Sequence, residues 1–172
     1  IGTKNDNWAL NEPNNGGSGE NIAEILADGT WNDEKEDTLN QKYLLEVNTL
    51  ITSKSGFTFL GQYGGHSYFS SNLSFLWYDA KADAEKNGGY LSMIKTKDEN
   101  DTIAKMISEN YHFGLYQDIN DKYYAEKDGG WKWVDGTYLY DEGLNRTLCG
   151  VLINDNDGGG DTLFVNDYNL SS

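Results

Sequence analysis

Every apolar run in this chain is short, and most are cut off by glycine, asparagine or aspartate. Ile22–Leu26 and "KYLLEV", from Lys42 to Val47, read as strands. "FTFLGQYGGHSYFSS" reads as two strands joined by a turn at Gly64–Gly65. A helical period emerges only twice. In "SFLWYDAKADAEKNGG", Trp77, Ala80 and Ala84 share one face, and Gly88–Gly89 supply the stop signal. In "DENDTIAKMISEN", Ile103, Met106 and Ile107 are expected to point inward, with Asp98 as the N-cap. After it come "YHFGLYQ", the aromatic "GGWKWVDGTYLY" and two late strands, "TLCGVLI" and "TLFVND". Strands, two helices, then a loop-rich strand region predict an α+β fold.

The 172 residues, 37% apolar and 13% aromatic, suffice for a packed core. The net charge of −15, from 28 acids against 13 bases, argues against nucleic acid or anionic membranes as partners. No apolar run approaches the length needed for membrane insertion. A single cysteine, Cys149, excludes an intrachain disulfide and is expected to be a buried apolar residue. The start at Ile1 is expected of a chain that has lost a leader or been cut from a longer protein.

One stretch is chemically distinctive. "NEPNNGGSGENIAEILADGTWND", from Asn11 to Asp33, holds Glu12, Asn14, Glu20, Asn32 and Asp33 with no Lys or Arg among them. Calcium takes six to eight hard oxygen ligands at about 2.3–2.6 Å, mixing carboxylates with amide carbonyls. Carboxylates gathered this closely repel one another unless a cation sits between them. The absence of nearby His or Cys favours calcium over zinc. The same residues also read as an Asn/Gly-rich solvated loop that happens to be acidic. Pro13, the only proline, is expected to follow a cis bond that points the flanking side chains the same way.

"ENIAEILADGTWND" has an echo in "TLCGVLINDNDGGGDTLFVND" near the end. Both read as an apolar strand, a polar turn, a second strand and a final Asn-Asp. The first copy is followed by a strand, Tyr43–Val47, and the second is not.

These residues carry a resemblance. "EPNNGGSGE", "GTWND" and "YLLEV" together resemble the carbohydrate-recognition half of a C-type lectin domain. "GHSYFSSNLSFLWYDAKADAEKNGGYLSMIKTKDEN", "FGLYQ" and "GGWKWVDGTYLY" resemble the first half of the same domain. The resemblance implies two helices, small antiparallel sheets and a long calcium-binding loop region. It implies calcium ligands at Glu12, Asn14, Glu20, Asn32 and Asp33, with sugar contacts at Glu12, Asn14, Glu20 and Asn32. Glu-Pro-Asn implies mannose-type sugars with vicinal equatorial hydroxyls, and Trp31 is expected in the core. It also implies an extracellular or cell-surface setting, as an adhesion module.

The two halves stand in reversed order. The expected organisation is a piece of a tandem array: residues 1–47 as the second half of one domain, 48–55 as a linker, and 56–172 as another domain lacking its last strand. A circularly permuted single domain is the alternative. The family's disulfides are absent, since Ile22, Val47 and Ala84 stand where cysteines are common. In the second copy only Asn166 and Asp167 survive, with Asp141, Glu142 and Asn145 as possible helpers, which makes a weak site. "NDNDGGGD" fits neither the EF-hand nor the repeat-in-toxin spacing and reads as a hairpin turn. Without a last strand, Phe57–Leu60 would present an unpaired edge, open to Tyr43–Val47 or to self-association with another copy.

An enzyme is not expected. Glu12 and Glu20 as a glycosidase pair lack an apolar pocket to raise one pKa. His66 lies in a "GGHSY" turn, which does not support a nucleophile pair with Cys149. No HExxH, P-loop or GxSxG motif is present.

Overall fold

A computed structural model describes residues 6–17, 19–37, 40–127 and 129–140. Strands β1 (Ile22–Ile25), β2 (Trp31–Glu34) and β3 (Leu44–Val47) come first, then the hairpin β4 (Phe57–Tyr63) and β5 (His66–Ser71). Helix α1 (Trp77–Lys86), the short β6 (Tyr90–Leu91) and helix α2 (Lys97–Met106) follow, then β7 (Tyr111–Gln117) and β8 (Trp131–Trp133). They build two antiparallel four-stranded sheets, in the orders β2-β1-β7-β8 and β4-β5-β3-β6.

The expected helix faces hold. Trp77, Ala80 and Ala84 are fully buried, and the Trp77 indole donates to the Phe113 carbonyl at 2.9 Å. Helix α2 buries Ile103, and Ile107 is buried at its end, with Met106 partly covered. Its cap differs from expectation. Thr96, not Asp98, takes the extended N-cap conformation, and its hydroxyl accepts from the Glu99 N–H at 3.2 Å. Asp98 lies two positions further in, in the first turn, where its charge complements the helix dipole. The Gly64–Gly65 turn joins β4 and β5 as expected, with φ of 58° and 91°.

The expected boundary at 48–55 does not separate two bodies among the described residues. β1 pairs with β7, from Ile22↔Tyr116 to Ile25↔Tyr111. β3 lies between β5 and β6, with Glu46 opposite both Tyr68 and Tyr90. One core joins Ala23, Ile25, Trp31 and Leu44 to Ile103, Phe113, Trp131 and Trp133. The other joins Ile22, Tyr43, Leu45 and Val47 to Phe69, Trp77 and Leu91. The stretch after β3 is a crossover within one sheet, held where Ser67 donates to the Thr49 carbonyl at 2.8 Å and accepts from Ile51 N–H at 3.0 Å. The physical reason is burial: every residue of β1 and β3 is buried, more cover than residues 6–47 alone can supply. β3 joins the sheet on the far side of β5, so β4 still stands at its end. Cys149, Asp141, Glu142, Asn145, Asn166, Asp167, the "NDNDGGGD" turn and the two late strands lie outside the described residues.

Candidate functional site

The acidic stretch folds as a loop laid against the outer end of β2. Ala9 N–H donates to the Trp31 carbonyl and Trp31 N–H to the Asn7 carbonyl, both at 2.8 Å, so residues 7–9 run beside the start of β2. Trp31 is fully buried, as expected of a core residue. The loop then turns at a cis Glu12–Pro13 bond, with Pro13 buried.

Asp33 is the anchor of this loop. It is 2% exposed, and its two carboxylate oxygens accept from Asn14 N–H at 2.9 Å and Asn15 N–H at 2.8 Å. Glu20, 8% exposed, accepts from the Gly16 N–H, while its own N–H donates to Asn15 Oδ1 at 3.2 Å. A Cβ at Gly16 would stand 2.5 Å from Asn14 Oδ1 and 3.4 Å from Glu20 Oε2. Those two oxygens therefore face the same space over the loop.

Electrostatically the loop is short of positive charge. Burial, contact with Asp33 and the nearby Glu20 charge push the Glu12 carboxyl above its ordinary value. Burial and the charges of Asp33 and Glu34 push Glu20 up, against the Gly16 bond, which favours its ionised form. Glu12 Oε2 is buried without a hydrogen-bond partner. Lys35, two residues past Asp33, reaches back to the Gly17 carbonyl at 3.1 Å and partly offsets Glu20. It was invisible to a reading that stopped at the Asn-Asp pair.

Of the five expected ligands, Glu12, Asn14 and Glu20 lie along this loop and Asp33 on the strand beside it. Asn32 does not join them. Successive side chains of a strand face opposite ways, so Asn32 and Asp33 point to opposite faces of β2. The Asn32 amide donates to Glu24 Oε1 at 3.2 Å and Glu34 Oε1 at 3.4 Å. Glu24, 5% exposed, is also held by Asn110 at 3.3 Å. The period-2 alternation of "TWNDE" was the sequence signal for this second polar face.

Among the described residues, no three acidic, His or Cys side chains are drawn together tightly enough to hold a metal ion as they stand. The Asp33 and Glu20 carboxylates are turned toward backbone N–H groups instead. The donor chemistry nonetheless fits a hard cation: three carboxylates and an amide oxygen, with one buried carboxylate oxygen unpartnered.

No family model matches the chain, and no solved structure matches it. It is similar to asialoglycoprotein receptor 2 of Mus musculus, 30% identical over 76 residues, covering 44% of this chain and 23% of that protein. It is 29% identical over 76 residues to a perlucin-like protein of Mytilus galloprovincialis, covering 43% and 47% of the two chains. It is 29% identical over 75 residues to C-type lectin domain family 4 member M of Symphalangus syndactylus, covering 44% and 17%. The matched region spans less than half the length of each of these relatives. They are distant C-type lectin homologues, and none of them is named as an enzyme. The two helices and two small antiparallel sheets are consistent with the C-type lectin fold. No helix among the described residues is long and apolar enough to cross a membrane.

Proposed function

We propose that this protein binds carbohydrate in a calcium-dependent way through the loop around Glu12, Asn14, Glu20 and Asp33. The observation that carries the reading is the loop itself: three carboxylates on one edge, two of them pushed toward protonation, and Glu12 Oε2 buried without a partner. Calcium bound there would neutralise the three acids and accept sugar hydroxyl oxygens as further ligands. Glu12, Asn14, Glu20 and Asp33 would hold the ion. Asn32 joins them only by giving up its bonds to Glu24 and Glu34.

The chain's own groups orient the sugar. Carboxylate oxygens of Glu12 and Glu20 would accept hydroxyl protons, and the Asn14 amide would donate to a hydroxyl oxygen, as would that of Asn32 once it leaves Glu24 and Glu34. The relatives' names support the ligand class, since one is a receptor for asialoglycoproteins and another carries a C-type lectin domain. The Glu-Pro-Asn motif supports mannose-type sugars with vicinal equatorial hydroxyls. The setting is extracellular or at the cell surface, in an adhesion role. The domain itself is one unit in permuted order, residues 56–140 followed in space by residues 7–47.

Retention on immobilised mannose tests this. Glu12→Ala and Asn32→Ala are each expected to lose calcium-dependent retention, and Cys149→Ser to keep it. Full retention by the Glu12 variant would overturn the ligand assignment.

One observation favours a second reading, a protein-binding or self-assembling module. β4 stands at a sheet end, carries no charge along its seven residues, and leaves Phe59 37% exposed. Sedimentation over a concentration series separates the two, because strand addition between copies requires a concentration-dependent oligomer.

A further inference from the structure

Among the described residues, four buried side-chain polar atoms lack a hydrogen-bond partner: Glu12 Oε2, Trp8 Nε1, Asn21 Oδ1 and Gln117 Oε1. The first belongs to the acidic loop. The other three belong to residues that neighbour one another around the end of β7. Gln117 ends β7 and lies opposite Trp131 of β8. On its other side the Ile22↔Tyr116 register continues to Asn21, whose carbonyl accepts from the Gln117 N–H at 2.8 Å. Residues directly opposite one another in adjacent strands share a face, with Cβ atoms about 4.5–5.5 Å apart. Asn21, Gln117 and Trp131 therefore form one row across three strands, and the Trp8 ring packs onto Trp131 at 4.8 Å between centroids.

This row is shut off from solvent, with Trp131 fully buried, Gln117 1% exposed and Asn21 8% exposed. The orientation of Gln117 is fixed. Its Nε2 donates to the Gly129 carbonyl at 2.7 Å and the Lys127 carbonyl at 3.4 Å, so reversing the amide would set its oxygen against two carbonyls. Its Oε1 is therefore an unpartnered acceptor, and Asn21 Oδ1 is an unpartnered acceptor too. Two acceptors cannot satisfy each other, and the Trp8 indole is a donor only.

We propose that a single buried water molecule is a built-in part of this fold, held among Trp8 Nε1, Asn21 Oδ1 and Gln117 Oε1. Water offers two protons for the amide oxygens and a lone pair for the indole N–H, which is the complement of these three groups. A metal ion is the wrong partner, because the indole N–H would point its positive end at it and no carboxylate joins the row. The position gives the water a task. Trp8 and Asn21 bracket the acidic loop, one four residues before Glu12 and the other next to Glu20. One water ties both ends of that loop to β7.

The test uses the intact protein. A crystal structure refined with its solvent is expected to show one density peak about 2.7–3.2 Å from all three atoms. In solution, the Trp8 indole proton is expected to show a cross-peak to a long-lived water, lost in Gln117→Met. Direct contact between the Asn21 amide nitrogen and Gln117 Oε1 with no peak between them would overturn the proposal. So would a cation at that point with Trp8 turned away, or a Trp8 cross-peak unchanged in Gln117→Met.

Discussion

Glu12, Glu20, Glu24 and Glu46 each hold a proton more tightly than an exposed glutamate, and burial is the largest cause in every case. A carboxyl whose pKa is raised by folding binds more protons in the native state than in the unfolded one. Its linkage term therefore favours the native state as pH falls, fully so below the ordinary value of 4.5, and is lost as pH rises through the raised values. Asp118, Asp121 and Asp135 are held below their ordinary 3.8, so the stability they contribute is lost only in stronger acid. In chelator, the melting temperature should rise as pH is lowered from 7 to 5. With calcium the trend reverses in one respect, because protons and the ion compete for Glu12 and Glu20. The melting-temperature gain from calcium should shrink over the same range, and a gain independent of pH would argue against carboxylate ligation. Glu46 differs from the loop acids in being fully served by donors. It accepts from Tyr90 at 2.7 Å, Met93 N–H at 3.0 Å and Ser92 at 3.3 Å, and pairs with His66 at 2.6 Å. Glu46→Ala should lower stability by about 3 kcal/mol by stranding those partners, as read by urea unfolding. A loss under about 1 kcal/mol would mean the network relaxes around the gap.

The link between the β1–β2 turn and α2 shows which elements position the acidic loop. Asn100 accepts from the Trp31 indole at 2.9 Å and donates to the Gly29 carbonyl at 3.1 Å, so one helical side chain fixes both the turn and the strand that carries Asp33. Gly29 has φ of 88°, and a Cβ there would stand 2.5 Å from the Ala104 Cβ. Gly29→Ala should therefore cost about 2 kcal/mol or more in thermal unfolding, through the left-handed backbone and the clash together. A neutral result would mean that α2 shifts freely at this contact. Much at this scale was legible in the sequence. The Trp77, Ala80 and Ala84 stripe reads directly as a buried helix face, because helical period and burial are the same fact. The α2 cap was misplaced because Thr96 and Asp98 are both good capping residues, and only the Thr96 hydroxyl bond to Glu99 N–H decides between them. Asn32 was grouped with Asp33 because the resemblance assigns both as ligands. The alternation along β2 separates them in this conformation.

At the level of the molecule, sequence order and spatial order part company. Short strands with good inner faces announce themselves by composition, but nothing local in "NIAEIL" says that it pairs with "YHFGLYQ". The division at 48–55 looked like a domain boundary because the stretch is polar, and polar stretches serve as crossovers and as linkers alike. If residues 6–47 and 56–140 share their cores, a single cut after Lys54 should leave the two pieces associated. They should co-elute in native size-exclusion chromatography and separate only in denaturant. An amino-terminal piece eluting alone and folded would contradict the shared core. The site depends on that unity, since Asp33 is placed by β1 against β7 and Trp31 by α2. The most direct measurement is calorimetric titration of mannose into the protein, with calcium and then with chelator. Binding heat with calcium and none with chelator is the expected result. Equal heat in both conditions, or none with calcium present, would contradict calcium-dependent carbohydrate binding at this loop.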